Sequence, residues 1–286
     1  MHQNFTRALV CAAATLTCAL AAQAATFSDT SIGYRYGTDF SEPFNKNHIS
    51  KDILNLNHVS GYKYGSNFFN VDMLLSDDKD PAGAGSGNGA QEIYVVYRNT
   101  VDLEKLTGSP YKFGLVRGVG ITGGFDFNTK TDAGYNSKKR MLVVGPTLML
   151  DVPGFLNVSL LALFESNAPY NTFTKVSTPR YTYDAHAMLG VAWGIPLGKT
   201  GLSFEGFANF IESKGKNEAG VATAAETNVD MQLMYDVSPL IGAAPKSLKA
   251  GLEYQYWHNK FGNNSSGAAG AGAAANTPMV RVEYHF

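Results

Sequence analysis

The chain has 286 residues, with 23 Lys and Arg against 24 Asp and Glu, a formal net charge of −1, and only 16% charged residues. That balance excludes a nucleic-acid binder, which needs a basic face. The two cysteines, Cys11 and Cys18, both fall in a stretch that reads as a removable leader. The mature chain is therefore expected to have no disulfide framework, no thiolate metal site and no cysteine nucleophile.

The leader carries Arg7, an apolar run from Ala8 to Ala21 with Thr15 and Thr17 as its only polar members, and Ala22-Gln23-Ala24, small residues of the kind at which leaders are cut. The run is shorter than the roughly 20 apolar residues of a spanning helix. Residues 1–24 are thus expected to be a signal peptide and 25–286 a single exported domain. That domain is either a soluble secreted protein or a membrane β-barrel.

Along the chain the hydrophobic pattern has a period of two, the signature of strands with unlike faces. Ile32, Tyr34 and Tyr36 alternate with Gly33 and Arg35. Phe69, Val71, Met73 and Leu75 alternate with Asn70, Asp72, Leu74 and Ser76, and Ile93, Val95 and Tyr97 with Glu92, Tyr94, Val96 and Arg98. Further segments follow at Val119–Phe127 and Leu156–Phe164. Tyr181 to Ile195 is expected to be one continuous strand, and Val229–Tyr235 and Leu248–Tyr256 two more. At the end, Val280, Val282, Tyr284 and Phe286 alternate with Arg281, Glu283 and His285. With weaker segments near 53–61, 140–150 and 202–212, the expectation is twelve strands. An apolar-out, ionisable-in strand that stops at a terminal aromatic carboxylate selects the second option. The fold class is all-β, a transmembrane antiparallel up-and-down β-barrel of the Gram-negative outer membrane.

Links near 38–51, 77–90, 128–138, 166–180, 213–227 and 259–276 are long and rich in Gly, Asn, Ser, Asp or Lys; turns near 62–66, 151–155, 196–201 and 238–246 are shorter. This alternation matches long outer loops and tight periplasmic turns. The link at 99–111 is long, with a helical turn expected over Asp102 to Leu106. The low-complexity stretches Pro81–Gly89 and Gly267–Ala275 read as mobile outer loops. Aromatics at strand ends (Tyr34, Tyr36, Tyr62, Tyr64, Phe68, Phe69, Phe125, Phe127, Tyr181, Tyr183 and Tyr254 to Trp257) are expected to form interfacial girdles.

If the apolar face meets lipid, the other face lines the interior with both signs of charge. A pore selective for one ion sign needs a one-sign ring. Mixed charges among amides and hydroxyls suit a polar, neutral or zwitterionic solute. Strand direction places Asp72, Tyr94, His186, Glu205, Phe207, Glu253 and Arg281 near mid-height, as the candidate substrate-binding set. Aromatic faces stack on nucleobases, worth about 1–3 kcal/mol each. No Gly-x-Ser-x-Gly elbow and no His-Glu-x-x-His motif occurs. A barrel hydrolase built on His186 or His258 with a nearby Ser or Asp is the enzymatic alternative. No catalytic residue, metal or cofactor is expected.

Leu106-Thr107 followed by Lys112-Phe113-Gly114, the run Leu202-Ser203-Phe204-Glu205-Gly206-Phe207-Ala208-Asn209-Phe210, Tyr256-Trp257-His258 and the closing Val282-Glu283-Tyr284-His285-Phe286 resemble the Tsx-like family of nucleoside-specific channels. Ser31-Ile32-Gly33-Tyr34-Arg35-Tyr36-Gly37 is similar to family members described as outer envelope proteins. The first third departs from the family in lacking its tryptophan-rich opening. The resemblance implies a monomeric twelve-stranded barrel with a narrow polar lumen. Its implied function is facilitated diffusion of nucleosides, with a receptor role for phage or bacteriocins in some members. The implied partners are small polar solutes, outer-membrane lipid, and the barrel-assembly machinery acting on the C-terminal strand.

Overall fold

The computed structural model describes residues 25–131, 136–171 and 175–286; the expected leader lies outside the described residues. Twelve long strands make up the wall. They are β1 (Phe27–Phe40), β2 (Ile49–Tyr62), β3 (Gly65–Ser76), β4 (Gln91–Asp102), β5 (Val116–Lys130), β6 (Arg140–Leu150), β7 (Phe155–Asn167), β8 (His186–Pro196), β9 (Leu202–Ile211), β10 (Glu226–Asp236), β11 (Leu248–His258) and β12 (Ala274–His285). Every pairing in the wall is antiparallel, and all but one join sequence neighbours. β12 returns to β1 with Arg281 opposite Arg35, so the sheet closes into a barrel. Closure leaves no unpaired edge, the condition for a sheet in hydrocarbon.

The long links 41–48, 77–90, 131–139, 168–185, 212–225 and 259–273 all follow odd strands and share one end of the barrel; Phe27, which opens β1, and Phe286 lie at the other. We call these the long-loop end and the terminal end. In the link after β4, a single turn, α1 (Leu103–Thr107), starts on the Asp102 carboxylate, which accepts from the Glu104 and Lys105 amides, and stops at Gly108 in the left-handed region. The helical turn expected there is present.

Each strand turns one apolar stripe outward. Ile32, Leu54, Met73, Ile93, Ile121, Leu142, Leu160, Leu189, Phe210, Leu233, Leu252 and Val282, one per strand, are all exposed. A soluble monomer rarely shows a continuous apolar belt of this extent, whereas a bilayer covers one. No helix among the described residues is long and apolar enough to cross a membrane.

Three expectations are corrected. The continuous strand over 181–195 is broken: Tyr181–Thr182 pairs with the end of β7, and β8 begins only at His186. The break lets Tyr183 and His186, of opposite parity, both turn inside. Second, several aromatics assigned to girdles lie elsewhere. Tyr62 is buried with its hydroxyl on Asn99, 3.2 Å. Trp257 points inward and donates Nε1 to Glu226, 2.7 Å. Phe68 sits opposite Arg98, an inward residue paired with Asp126, and so shares the inner face. Tyr34, Tyr36, Phe125, Phe127, Tyr254 and Tyr256 do stand exposed outside.

Third, the Gly/Ala-rich stretch after β11 is packed, with Ala269, Gly272 and Ala273 buried. The stretch after β3 folds back on itself through Ala82 N–H to the Asn88 carbonyl, 2.9 Å, and Ala90 N–H to that of Asp80, 2.6 Å, and its tip is exposed.

Candidate functional site

The inner wall is the one surface where the sequence gathers chemistry, and it has two unlike zones. At mid-height a chain of opposite charges crosses five strands. Arg35 on β1 donates Nη1 to Glu253 on β11, 2.8 Å, and pairs through Nη2 with Asp72 on β3, 2.6 Å. Glu253 accepts a second guanidinium, from Arg281 on β12, 2.8 Å. Arg281 in turn pairs with Glu283. Asn55 on β2 donates to Asp72, 2.7 Å, and to Asn70, 2.7 Å. Partnered charges of this kind are the form in which buried ions persist, because an unpaired one would revert to its neutral state.

Beside the chain, register sets Phe207 on β9 opposite Ala192 on one side and Asp230 on the other, and Asp230 opposite Gln255. Asp230 accepts from Gln255, 3.3 Å, so Phe207 shares the inner face with it. Gly206, between the inward Glu205 and Phe207, turns outward. A Cβ there would lie 2.8 Å from the Trp193 ring on the outer surface. Lower on β9, Glu205 accepts from Ser203, 2.5 Å, and from Lys249, 2.9 Å.

Towards the long-loop end the interior changes. Two apolar clusters lie inside: Phe40, Ile49, Ile53 and Met279, with Leu74 against them, and Met141, Val143, Leu161, Leu163 and Met188, with Ile211. Above them sit buried lysines. Lys214 pairs with Glu165, 2.6 Å, and lies 4.3 Å over the Tyr183 ring. Lys139 donates to the Tyr94 hydroxyl, 3.3 Å, which itself donates to Asp126, 3.1 Å. Glu42 accepts from Lys51, 2.6 Å, and Lys260, 3.1 Å.

Burial pushes the Glu42 carboxyl up, but the ammonium groups of Lys130, Lys260 and Lys51 outweigh it and hold the carboxyl well below the usual carboxylate range. Burial lowers Lys260 below an ordinary lysine, and Lys51 and Lys130 add to that, against the pull of Glu42. Burial raises the Tyr183 hydroxyl, and Glu218 adds to it.

Of the residues singled out from sequence, Asp72, Glu253 and Arg281 meet in one network through Arg35. Phe207 stands two strands from Glu253 on the same face, and Tyr94 belongs to the Asp126–Lys139 group. Glu205 lies lower, with Lys249. His186 is not at mid-height: it opens β8 at the long-loop end, its Nδ1 on the Asp184 carbonyl, 2.9 Å, and its Nε2 3.9 Å from Glu165. The lysines at 51, 130, 139, 214 and 260, with Glu42 and Asp80, were not singled out. Most lie in links or at strand ends, where alternation assigns no face.

The hydrolase alternative meets a specific geometry. Ser265 Oγ is 3.1 Å from His258 Nε2 at the long-loop rim. However, Ser265 gives both its N–H (3.0 Å) and its hydroxyl (3.1 Å) to Asn259 Oδ1, and the Ser266 N–H goes to Asn264. The donors that would hold an oxyanion are engaged inside the loop, so the contact reads as a loop fastening. Among the described residues no group of three or more His, Cys, Asp or Glu is placed to hold a metal ion.

The fold and wall together define a class: a closed twelve-stranded barrel, apolar outside and polar inside. No protein-family model and no curated protein matches the chain. Solved structures similar to it include the KdgM porin, 13% identical, covering 90% of this chain and 99% of that one with a TM-score of 0.43. The translocator domain of the autotransporter NalP from Neisseria meningitidis is 11% identical, covering 99% of this chain and 98% of that one at 0.46. OpdK from Pseudomonas aeruginosa, solved with vanillate, is 9% identical, covering 91% and 98% at 0.27. At such identities and scores the likeness carries no argument about what this barrel does.

Proposed function

We propose that this protein is an outer-membrane channel through which small polar, uncharged or zwitterionic solutes diffuse, and that nucleosides are the class it selects. One observation carries the reading. The mid-height wall alternates carboxylate and guanidinium along Asp72–Arg35–Glu253–Arg281–Glu283, so there is no ring of one sign and an ion of either sign meets repulsion as well as attraction. A neutral solute rich in donors and acceptors meets only partners, and Phe207 beside Asp230 supplies an aromatic face for a base. In this reading the outer belt sits in lipid, the barrel acts as a monomer, and the final strand, ending at the exposed Phe286, is what the assembly machinery handles.

The test is single-channel recording in planar bilayers. Adenosine or thymidine is expected to reduce the current in a saturable way. Unchanged current at millimolar nucleoside would reject the selectivity and leave a general small-solute pore.

A second reading, a receptor barrel with a plugged interior, is favoured by the packed long-loop half. It predicts neither conductance nor swelling of liposomes.

A further inference from the structure

The buried ion cluster at the long-loop end does not belong to the solute path described above. Its five side chains are each 5% exposed or less: Glu42 after β1, Lys51 on β2, Asp80 after β3, Lys130 at the end of β5 and Lys260 after β11. Glu42 touches Lys51 at 2.6 Å, Lys260 at 3.1 Å and Lys130 at 3.5 Å, and Asp80 touches Lys130 at 3.0 Å. Followed round the closed wall, these contacts tie β11 to β5 across seven strands. Neighbouring strands are about 4.8 Å apart, so the β1 and β5 ends are about 19 Å apart along the wall. A contact between Glu42 and Lys130 therefore runs over the mouth rather than along the wall.

The link after β11 lies on top of this cluster. The Phe44 N–H donates to the Ala269 carbonyl, 3.0 Å, and Lys260 Nζ also donates to the Ser41 carbonyl, 3.0 Å. A Cβ on Gly272 would collide with the carbonyl oxygens of Glu42 and Asn45. The small residues of Gly267–Ala275 are therefore what lets two loop backbones touch. Beneath lies the apolar cluster of Phe40, Ile49, Ile53 and Met279.

We propose that the links after β1, β3 and β11 form a lid over this side of the mouth, latched by the clasp of three lysines on Glu42 and Asp80, and that its release exposes the inner wall to the outside. The lid rests on the barrel's orientation in a membrane but not on its conducting solute.

The experiment places one cysteine below the lid, Met279→Cys, in a chain whose residues 25–286 have none. Its labelling by a membrane-impermeant maleimide is followed on intact cells. Glu42→Ala in that background is expected to speed labelling by at least about a hundredfold, the effect of removing one partner from a buried ion pair. Equal rates with and without Glu42 would overturn the lid.

A second chain guards against misfolding of the first. Phe44→Cys with Ala269→Cys, beside Met279→Cys protected during oxidation, is expected to label more slowly when the pair is oxidised and to recover on reduction. A rate indifferent to oxidation would overturn the lid as well. Planar-bilayer current on the same chains separates the readings. Faster labelling without current keeps the lid and removes the channel.

Discussion

Inward positions in the long-loop half are closed off: Ile49 and Leu163 are at 0% exposure and Lys51 at 1%. Inward positions in the terminal half are mixed: Asn157, Phe207, Gln232 and Lys249 stay half-exposed, whereas Tyr62, Asn99, Thr122, Thr147 and Met234 are buried. The same alternation produces both. The difference lies in what fills the space: apolar side chains and loop-borne lysines in one half, and in the other mainly amides and hydroxyls, some half-exposed and some bonded to one another, as along Thr100–Thr122–Thr147–Ser159. Facing inward in a barrel therefore does not mean facing water. The half-exposed stretch along β7, β9, β10 and β11 reads as a vestibule below the packed zone.

The boundary between the halves should be the most sensitive place. Arg35→Leu removes the one cation between Asp72 and Glu253 and leaves carboxylates buried beside it. It is expected to cost about 3–5 kcal/mol, read as a lower urea midpoint of the refolded barrel at unchanged slope. Leu163→Ala in the packed half should follow at about 2–5 kcal/mol, whereas Leu160→Ala, three residues away and facing outward, should cost far less. Equal costs for the two leucines would mean that the inner face of β7 is no better packed than its outer face.

Acid should act on the packed half through Glu42, which faces Lys51, Lys130, Lys260 and Asp80, with Glu92 beyond Lys260. Its carboxyl is held below the ordinary range, so its stabilisation is complete above that range and is lost only as pH falls through its own lower value. Labelling of Met279→Cys is expected to be flat from neutral down to about pH 4 and to accelerate below it. Acceleration between neutral pH and about 5 would point to a histidine instead. Beside the mid-height network, Phe207→Ala should weaken block by nucleoside by about 1–3 kcal/mol, measured as a rise of about fivefold or more in the blocking concentration.

Much of this architecture was legible because a dyad period is local. The twelve strands, the outward stripe and the Asp102 cap all follow from residues within one element. The weak strand at 140–150 was weak for a physical reason. In Arg140-Met141-Leu142-Val143-Val144 both parities are apolar, since Met141 and Val143 pack inside while Leu142 and Val144 face out. The charge network was only half legible. Arg35 and Glu253 could each be assigned inward, but their pairing joins residues 218 positions apart and exists only once β12 closes on β1. Lys260 with Glu42 is the same case in the loops, also 218 apart, where no alternation assigned a face at all. Gly267–Ala275 looked mobile because low complexity and close backbone packing have the same composition.

The smallest effect is the sharpest check on the vestibule. Lys249 pairs with Glu205 at 2.9 Å, with the two side chains 19% and 27% exposed. Glu205 keeps Ser203 as a donor when the lysine is gone. Lys249→Ala should therefore cost no more than about 1 kcal/mol, as for a solvated pair, and leave the urea midpoint nearly unchanged. It also removes a positive charge from the terminal half, so the permeability ratio should shift towards cations in bilayers bathed in unequal salt. A loss comparable to that of Arg35→Leu would mean that this ion pair is as dry as the ones above it, and the contrast between an open and a packed half would have to be given up.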